Sequence, residues 1–157
     1  MKEGLLADAL LCSYKDLVHL AEAIDCKVIN IARNRDYLNS STIEVSEKII
    51  SLIEKKILIC NTKVLVDNVL KALDRNEARL LILKYIDNLS NEKLAYIFKI
   101  NVRTVYRKLE KAKESFYEML IKKKFNEETL KAIYKNQYWF MRYTCQKEDK
   151  ALKSMVG

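Results

Sequence analysis

The stretch Leu94-Ala95-Tyr96-Ile97-Phe98-Lys99-Ile100-Asn101-Val102-Arg103-Thr104-Val105-Tyr106-Arg107-Lys108-Leu109 decides the reading of this chain. Leu94, Ala95 and Phe98 share a face of a short helix, and Ser90 stands where its hydroxyl can accept from the orphan N–H groups of the first turn. Lys99-Ile100-Asn101 is a three-residue turn, and Asn101 caps the helix that begins at Val102. That helix places Val102, Val105, Leu109, Ala112, Phe116 and Leu120 on one face, at steps of three and four. Short helix, tight turn and longer helix make a helix-turn-helix. Ala95 is small where the two helices must cross closely, Ile100 plugs the turn, and Val105 inserts beneath Ala95.

The opposite face of the second helix carries Arg103, Thr104, Tyr106, Arg107, Lys108 and Lys111. A helix fits the major groove of a duplex, and the residues of its N-terminal half reach the base edges. Arg103 and Arg107, one turn apart, can each grip a guanine O6/N7 edge. Thr104 suits a thymine methyl or a phosphate, and Asn101, beside it at the helix start, is counted with it among the DNA-binding residues. Tyr106, Lys108 and Lys111 suit the phosphate backbone. From Lys99 to Lys124 there are 9 basic residues against 3 acidic ones, Glu110, Glu114 and Glu118. A merely solvated face mixes the signs more evenly, so double-stranded DNA is the expected partner.

Working outward, the composition agrees. The 157 residues include no proline and only 2 glycines, which leaves few of the tight turns a β fold needs. The expected class is all-α, and no glycine-rich phosphate loop can be written from the chain. Half of the residues are hydrophobic and 32% are charged, enough to build a core and too ordered a mixture for a disordered chain. The formal charge is +8, of which residues 74–125 hold +6, whereas residues 1–73 are neutral. Cys12, Cys26, Cys60 and Cys145 form no metal or redox spacing, and His19 is the single histidine, so no metal and no cofactor are expected. No nucleophile–base set and no paired carboxylates stand at a persuasive spacing, which argues against an enzyme. The opening MKEGLLADALLC is neither a clean signal peptide nor a membrane span, so no membrane and a cytoplasmic setting are expected.

Residues 5–33 read as one helix with a heptad stripe of Leu10, Tyr14, Leu17, Ala21, Ile24, Val28 and Ile31. Residues 34–42 read as a polar connection, with Ser41 or Thr42 capping a second long helix that runs to Leu73 or breaks near Asn61-Thr62. Its stripe is Ile50, Ile53, Ile57, Cys60 and Val64. Two such helices make either a plain antiparallel hairpin or a coiled coil between subunits, and the narrow seam favours self-association as a homodimer. Asp74 and Glu77 form a capping box for a third helix, with Ala78, Leu81, Ile82 and Tyr85 on one face, ending near Asp87-Asn88. Asn126 caps a last helix over 127–144, whose Tyr134, Tyr138, Trp139, Phe140 and Tyr143 either dock on the protein's own core or stack on a partner. The expected divisions are thus 1–72, a helical hairpin for dimerisation or partner binding; 73–125, the helix-turn-helix; and 126–157, an aromatic helix and flexible tail.

Leu73-Asp74-Arg75-Asn76-Glu77-Ala78-Arg79-Leu80-Leu81-Ile82-Leu83-Lys84-Tyr85 resembles the opening of bacterial sigma-70 region 4. Leu89-Ser90, Leu94-Ala95 and Ile100-Asn101-Val102-Arg103-Thr104-Val105 continue the likeness over residues 73–120. Lys99 departs from it, standing where the turn usually has glycine. Lys108 stands where an apolar residue is common, with Leu109 taking over the core position. Residues 1–72 hold only Tyr14 and Tyr37 as aromatics, so they do not resemble a promoter-melting sigma region. A long hairpin before a region 4-like motif is more similar to small phage-encoded transcription regulators of the ArpU and RinA type. The resemblance implies a sequence-specific transcription regulator that binds promoter DNA through Arg103, Thr104, Arg107 and their neighbours and contacts RNA polymerase. The alternative is an interaction module that binds polymerase or another regulator through the hairpin, with the basic helix only assisting.

Overall fold

The computed structural model describes residues 4–33 and 41–144, and among these the chain is helical with no strand. Residues 34–40 of the expected connection, Tyr37 included, and the tail from Cys145 lie outside the described residues. The chain packs as two compact units. One is Asp16–Leu65; the other joins the residues up to Lys15 with those from Val66 onward. The packing therefore does not divide at residue 72.

The Asp16–Leu65 unit contains α2 (Leu17–Arg33) and most of α3 (Thr42–Ala72). Ser41 caps α3, its hydroxyl accepting from the Glu44 N–H at 3.2 Å. The helix runs through Asn61-Thr62 without a break. Thr62 is buried there, and its hydroxyl donates to the Leu58 carbonyl at 2.8 Å, so the polar side chain is satisfied inside the helix. Leu17 and Ile24 of α2 and Ile59 and Thr62 of α3 are buried, and Asp25 accepts from Lys56 Nζ at 2.6 Å. On α2 the expected stripe faces inward. On α3 it does not: Ile50, Ile53, Ile57, Cys60 and Val64 are all exposed, while Ile49 and Leu52 are half-buried and Ile59 is fully buried. Apolar residues run almost round α3, and the seam uses the neighbouring stripe.

The larger unit is built around α1 (Leu5–Ser13), whose Leu6, Ala7, Ala9, Leu10 and Leu11 are buried. A helix apolar on nearly every side needs neighbours on every side. The packing supplies them, which is why α1 belongs here and not with α2. The single helix expected over 5–33 is accordingly interrupted by a 3₁₀ turn at Tyr14–Asp16. Just before it, the Ser13 hydroxyl donates to the Leu10 carbonyl at 3.0 Å. The Tyr14 hydroxyl donates to Asp67 Oδ1 at 2.6 Å, which ties this turn to the end of α3, where Val66, Val69 and Leu70 are buried.

Asp74 caps α4 (Arg75–Leu81) by accepting from the N–H of Asn76 at 3.2 Å, not from Glu77 as a capping box requires. Beyond Leu81 the chain widens into a π-helical turn, Ile82–Ile86, closed by the Asp87 N–H donating to the Ile82 carbonyl at 3.0 Å. Then follow α5 (Asn91–Phe98), α6 (Val102–Lys122) and α7 (Glu127–Tyr134). The expected helix over 127–144 is broken at 135–137 and resumes at 138. The break folds the Phe140 ring back onto Tyr134, stacked at 4.1 Å and 13°, with Trp139 edge-on to both. Tyr134, Trp139 and Phe140 are buried, so these rings dock on their own core, while Tyr138 is exposed.

Near the middle of α6, Lys113 lies 3.6 Å from Asp8 of α1 and 3.1 Å from Glu110. Burial works against its charge, but Asp8, Tyr85 and Glu110 outweigh this and hold the ammonium above the ordinary lysine range. Burial pushes the neighbouring Tyr85 phenol up to about 12. The folded value lies above the unfolded one of 10.0, so the fold favours the neutral ring. That contribution is complete below pH 10 and is lost as pH rises towards 12. Stability of the protein should fall through this window more steeply than that of Tyr85→Phe, as followed by urea unfolding at stepped pH. Phe116 is fully buried on α6. Phe116→Ala should lower the unfolding free energy by about 3–5 kcal/mol in the same assay.

Candidate nucleic-acid interface

Two helices and the turn between them build the candidate site. The Ser90 hydroxyl accepts from the Lys93 N–H at 3.3 Å, which fixes the start of α5. The chain leaves α5 at Lys99, whose backbone is left-handed at φ 55° and ψ 46°, with the Ile100 N–H donating to the Ala95 carbonyl at 3.0 Å. This is the conformation glycine adopts without strain, so lysine holds it at a cost of about 1 kcal/mol. Asn101 Oδ1 then accepts from both the N–H of Thr104, at 2.9 Å, and its hydroxyl, at 3.0 Å. Asn101 is exposed, but its oxygen is occupied in starting α6.

Leu80 of α4, Leu94 and Ala95 of α5, and Val105 and Leu109 of α6 form one buried cluster, and Phe98, Ile100 and Val102 pack against it. This is the crossing the sequence spacing requires. Arg79 lies over the Phe98 ring at 5.1 Å from its centroid, closing the outer edge of the cluster. Because Val105, Leu109, Ala112, Phe116 and Leu120 are all buried, the rotation of α6 about its axis is set.

Arg103, Tyr106, Arg107, Lys108 and Lys111 are accordingly exposed, with Thr104 half-buried against its cap. Neither the terminal aromatic segment nor α1 covers them. Contacts of α6 with α1 lie further along, where Lys113 meets Asp8. Glu110, the nearest carboxylate on α6, is drawn to Lys113. Among the described residues, neither Arg103 nor Arg107 forms an ion pair. The six candidates do not all share one direction. At 100° per residue, Arg103, Arg107 and Lys111 point away from the buried stripe, while Lys108 turns towards α4. Lys108 and Lys111 line a cleft of about 340 Å³ with Asp74, Glu77, Leu80 and Phe98. They therefore share their surroundings with two carboxylates, which the arginines do not.

The first helix of the motif offers side chains that the sequence reading passed over. Tyr96 is 86% exposed, and Lys93 and Lys99 are exposed at the start and end of α5. The signal was present: on an eight-residue helix whose Leu94 and Ala95 face inward, the flanking Lys93 and Tyr96 fall on the opposite side and must face out.

No curated protein and no solved structure matches this chain. Lys99→Gly should raise the unfolding free energy by about 1 kcal/mol, measured by urea denaturation, because it relieves the left-handed turn and touches no core contact. Residues 63–116, about a third of the chain, match the family described as Sigma-70, region 4, so the crossing of α5 and α6 is a sigma-70 region 4-like helix-turn-helix, a DNA-binding motif of transcription proteins.

Proposed function

We propose that this protein is a sequence-specific, DNA-binding transcription regulator that reads the major groove with the first two turns of α6. The observation that carries this is the exposure of Arg103 and Arg107, one turn apart and without ion pairs among the described residues, opposite a fully buried stripe. Each guanidinium presents two parallel N–H donors, which match the paired O6 and N7 acceptors of guanine. Thr104 contacts the neighbouring base or phosphate from the same turn. Lys111, Tyr106 and, at the rim of the cleft, Lys108 hold phosphates, as do Lys93, Tyr96 and Lys99 where the first helix of the motif crosses the backbone. Asn101 serves the interface through its cap and leaves base contact to Arg103 and Arg107.

The same reading makes the chain a non-enzymatic, phage-type regulator of cytoplasmic DNA that acts as a homodimer and touches RNA polymerase when bound at a promoter. It requires no cofactor. No described helix is long and apolar enough to cross a membrane.

Selection of bound duplexes from a random pool, followed by titration of the selected site, tests the reading. Arg103→Ala and Arg107→Ala should each weaken binding by about 1–3 kcal/mol and relax the preference at one base position. Lys111→Ala should weaken all duplexes alike and flatten the salt dependence by about 0.9 in the log–log slope. If both arginine variants bind every duplex as the unmodified protein does, α6 is not the reading helix.

A further inference from the structure

Helix α3 carries two apolar stripes, and the described residues cover one. Ile59 and Thr62 are buried within the Asp16–Leu65 unit. Ile43, Ile50, Ile53, Ile57 and Val64 lie beside them with between 44% and 72% of their surface exposed, and Cys60 lies exposed in the same row. We propose that a second copy of this chain covers the row, through parallel, in-register pairing of α3 with α3 over residues 43–64. The proposal rests on the self-association part of the reading above and is independent of its DNA-binding part.

The period is the first argument. Residues 43, 50, 57 and 64 are seven apart and are all β-branched, as Ile, Ile, Ile and Val. The positions three further on are Ser46, Ile53 and Cys60. An exposed helix has no need of a seven-residue apolar repeat, whereas two supercoiled helices do. β-Branched residues at the first position of the heptad favour two parallel strands when leucine holds the second, and here the second positions are Ser46, Ile53 and Cys60, so the period calls for a partner helix and the flanking charge has to choose its direction.

Flanking charge selects the orientation. Glu47 and Glu54 line one side of the row and Lys56 and Lys63 the other. Antiparallel pairing sets like sides together, which brings Glu54 against Glu47 or Glu54 of the second copy, or Lys56 against Lys56 or Lys63. Parallel pairing sets unlike sides together and places Glu54 beside Ile49 and Lys56 beside Asn61, without a like-charged pair. The side facing α2 is already neutralised in part, since Lys56 is held by Asp25.

Area is the third argument. The exposed parts of the five Ile and Val side chains amount to roughly 500 Å² per copy, more than scattered surface residues leave and near the lower bound of a specific interface when doubled. The outer face of α2 does not extend the row: Val18 and Ile29 are exposed, but Glu22 and Asp25 lie between them. The contact is therefore α3 on α3.

Sedimentation equilibrium of the full chain and of Ile53→Lys/Ile57→Lys tests the proposal, together with cross-linking by a short bis-maleimide. The expected result is a dimer whose dissociation constant rises at least about 100-fold in the double variant, with helicity by circular dichroism unchanged because both residues are exposed in the single chain. The cross-linker should give a covalent dimer that Cys60→Ser abolishes. A chain that stays monomeric at about 100 μM overturns both the self-association reading and the proposal, and leaves DNA binding to be judged by Arg103. A dimer indifferent to the two lysines overturns the face, and a dimer without the Cys60 cross-link overturns the parallel register. Should the lysine variant lose helix, the cross-link on the unmodified seam decides.

Discussion

The structure depends on one buried stripe, the row from Val105 to Leu120 along α6. Its first part closes the cluster with Leu80, Leu94 and Ala95. Its later part, Ala112, Phe116 and Leu120, is buried in the same unit as α1. A rigid helix held along most of its length cannot rotate at one end. The direction of Arg103 and Arg107 is therefore fixed by apolar packing that starts at Val105, between them, and runs on to Leu120, without any polar contact among the described residues holding the arginines themselves. A reading surface benefits from this arrangement, since donors aimed in advance lose less freedom when they meet their acceptors.

Electrostatics refines what packing sets. The chain gathers its positive charge in residues 74–125, yet the acidic residues there are not spread at random. Glu110 turns to Lys113, which also meets Asp8, and Asp74 and Glu77 sit by the cleft that Lys108 and Lys111 line. The carboxylates thus neutralise the flanks and leave the arginine pair unscreened by neighbours. The same Lys113 cluster fastens α1 to α6, so one set of charges serves both stability and the shape of the field.

Much of this was legible in the sequence. The caps at Ser90, Asn101 and Asn126, the turn at Lys99 and the inner face of α6 follow from local chemistry, and local chemistry is what a sequence displays. The strain at Lys99 was visible as a lysine in a glycine position. The seam of α3 was not legible, because Ile49-Ile50 and Leu52-Ile53 are adjacent apolar pairs and both stripes have helical period. Only the location of the packing neighbours chooses between them. The breaks at Tyr14–Asp16 and 135–137 were missed for a related reason. Neither contains glycine or proline, and both are imposed by what the following residues must reach: Asp67 for Tyr14, and the Tyr134 ring for Phe140. Asp74 looked like half of a capping box, but the geometry of its turn directs the carboxylate to Asn76.

The union of α1 with α6 and α7 has a consequence for how the protein is made. The Gly4 N–H donates to Glu127 at 3.0 Å, and Asp8 meets Lys113, so the larger unit is closed by contacts between residues more than a hundred positions apart. During synthesis the emerging α1 has no floor to rest on until most of the polypeptide has left the ribosome. Its leucines must wait, shielded by chaperones or by transient collapse, while the Asp16–Leu65 segment, whose neighbours lie close in sequence, is free to form first. The order of assembly thus departs from the order of the chain: α1, made before the Asp16–Leu65 segment, finds its place after it.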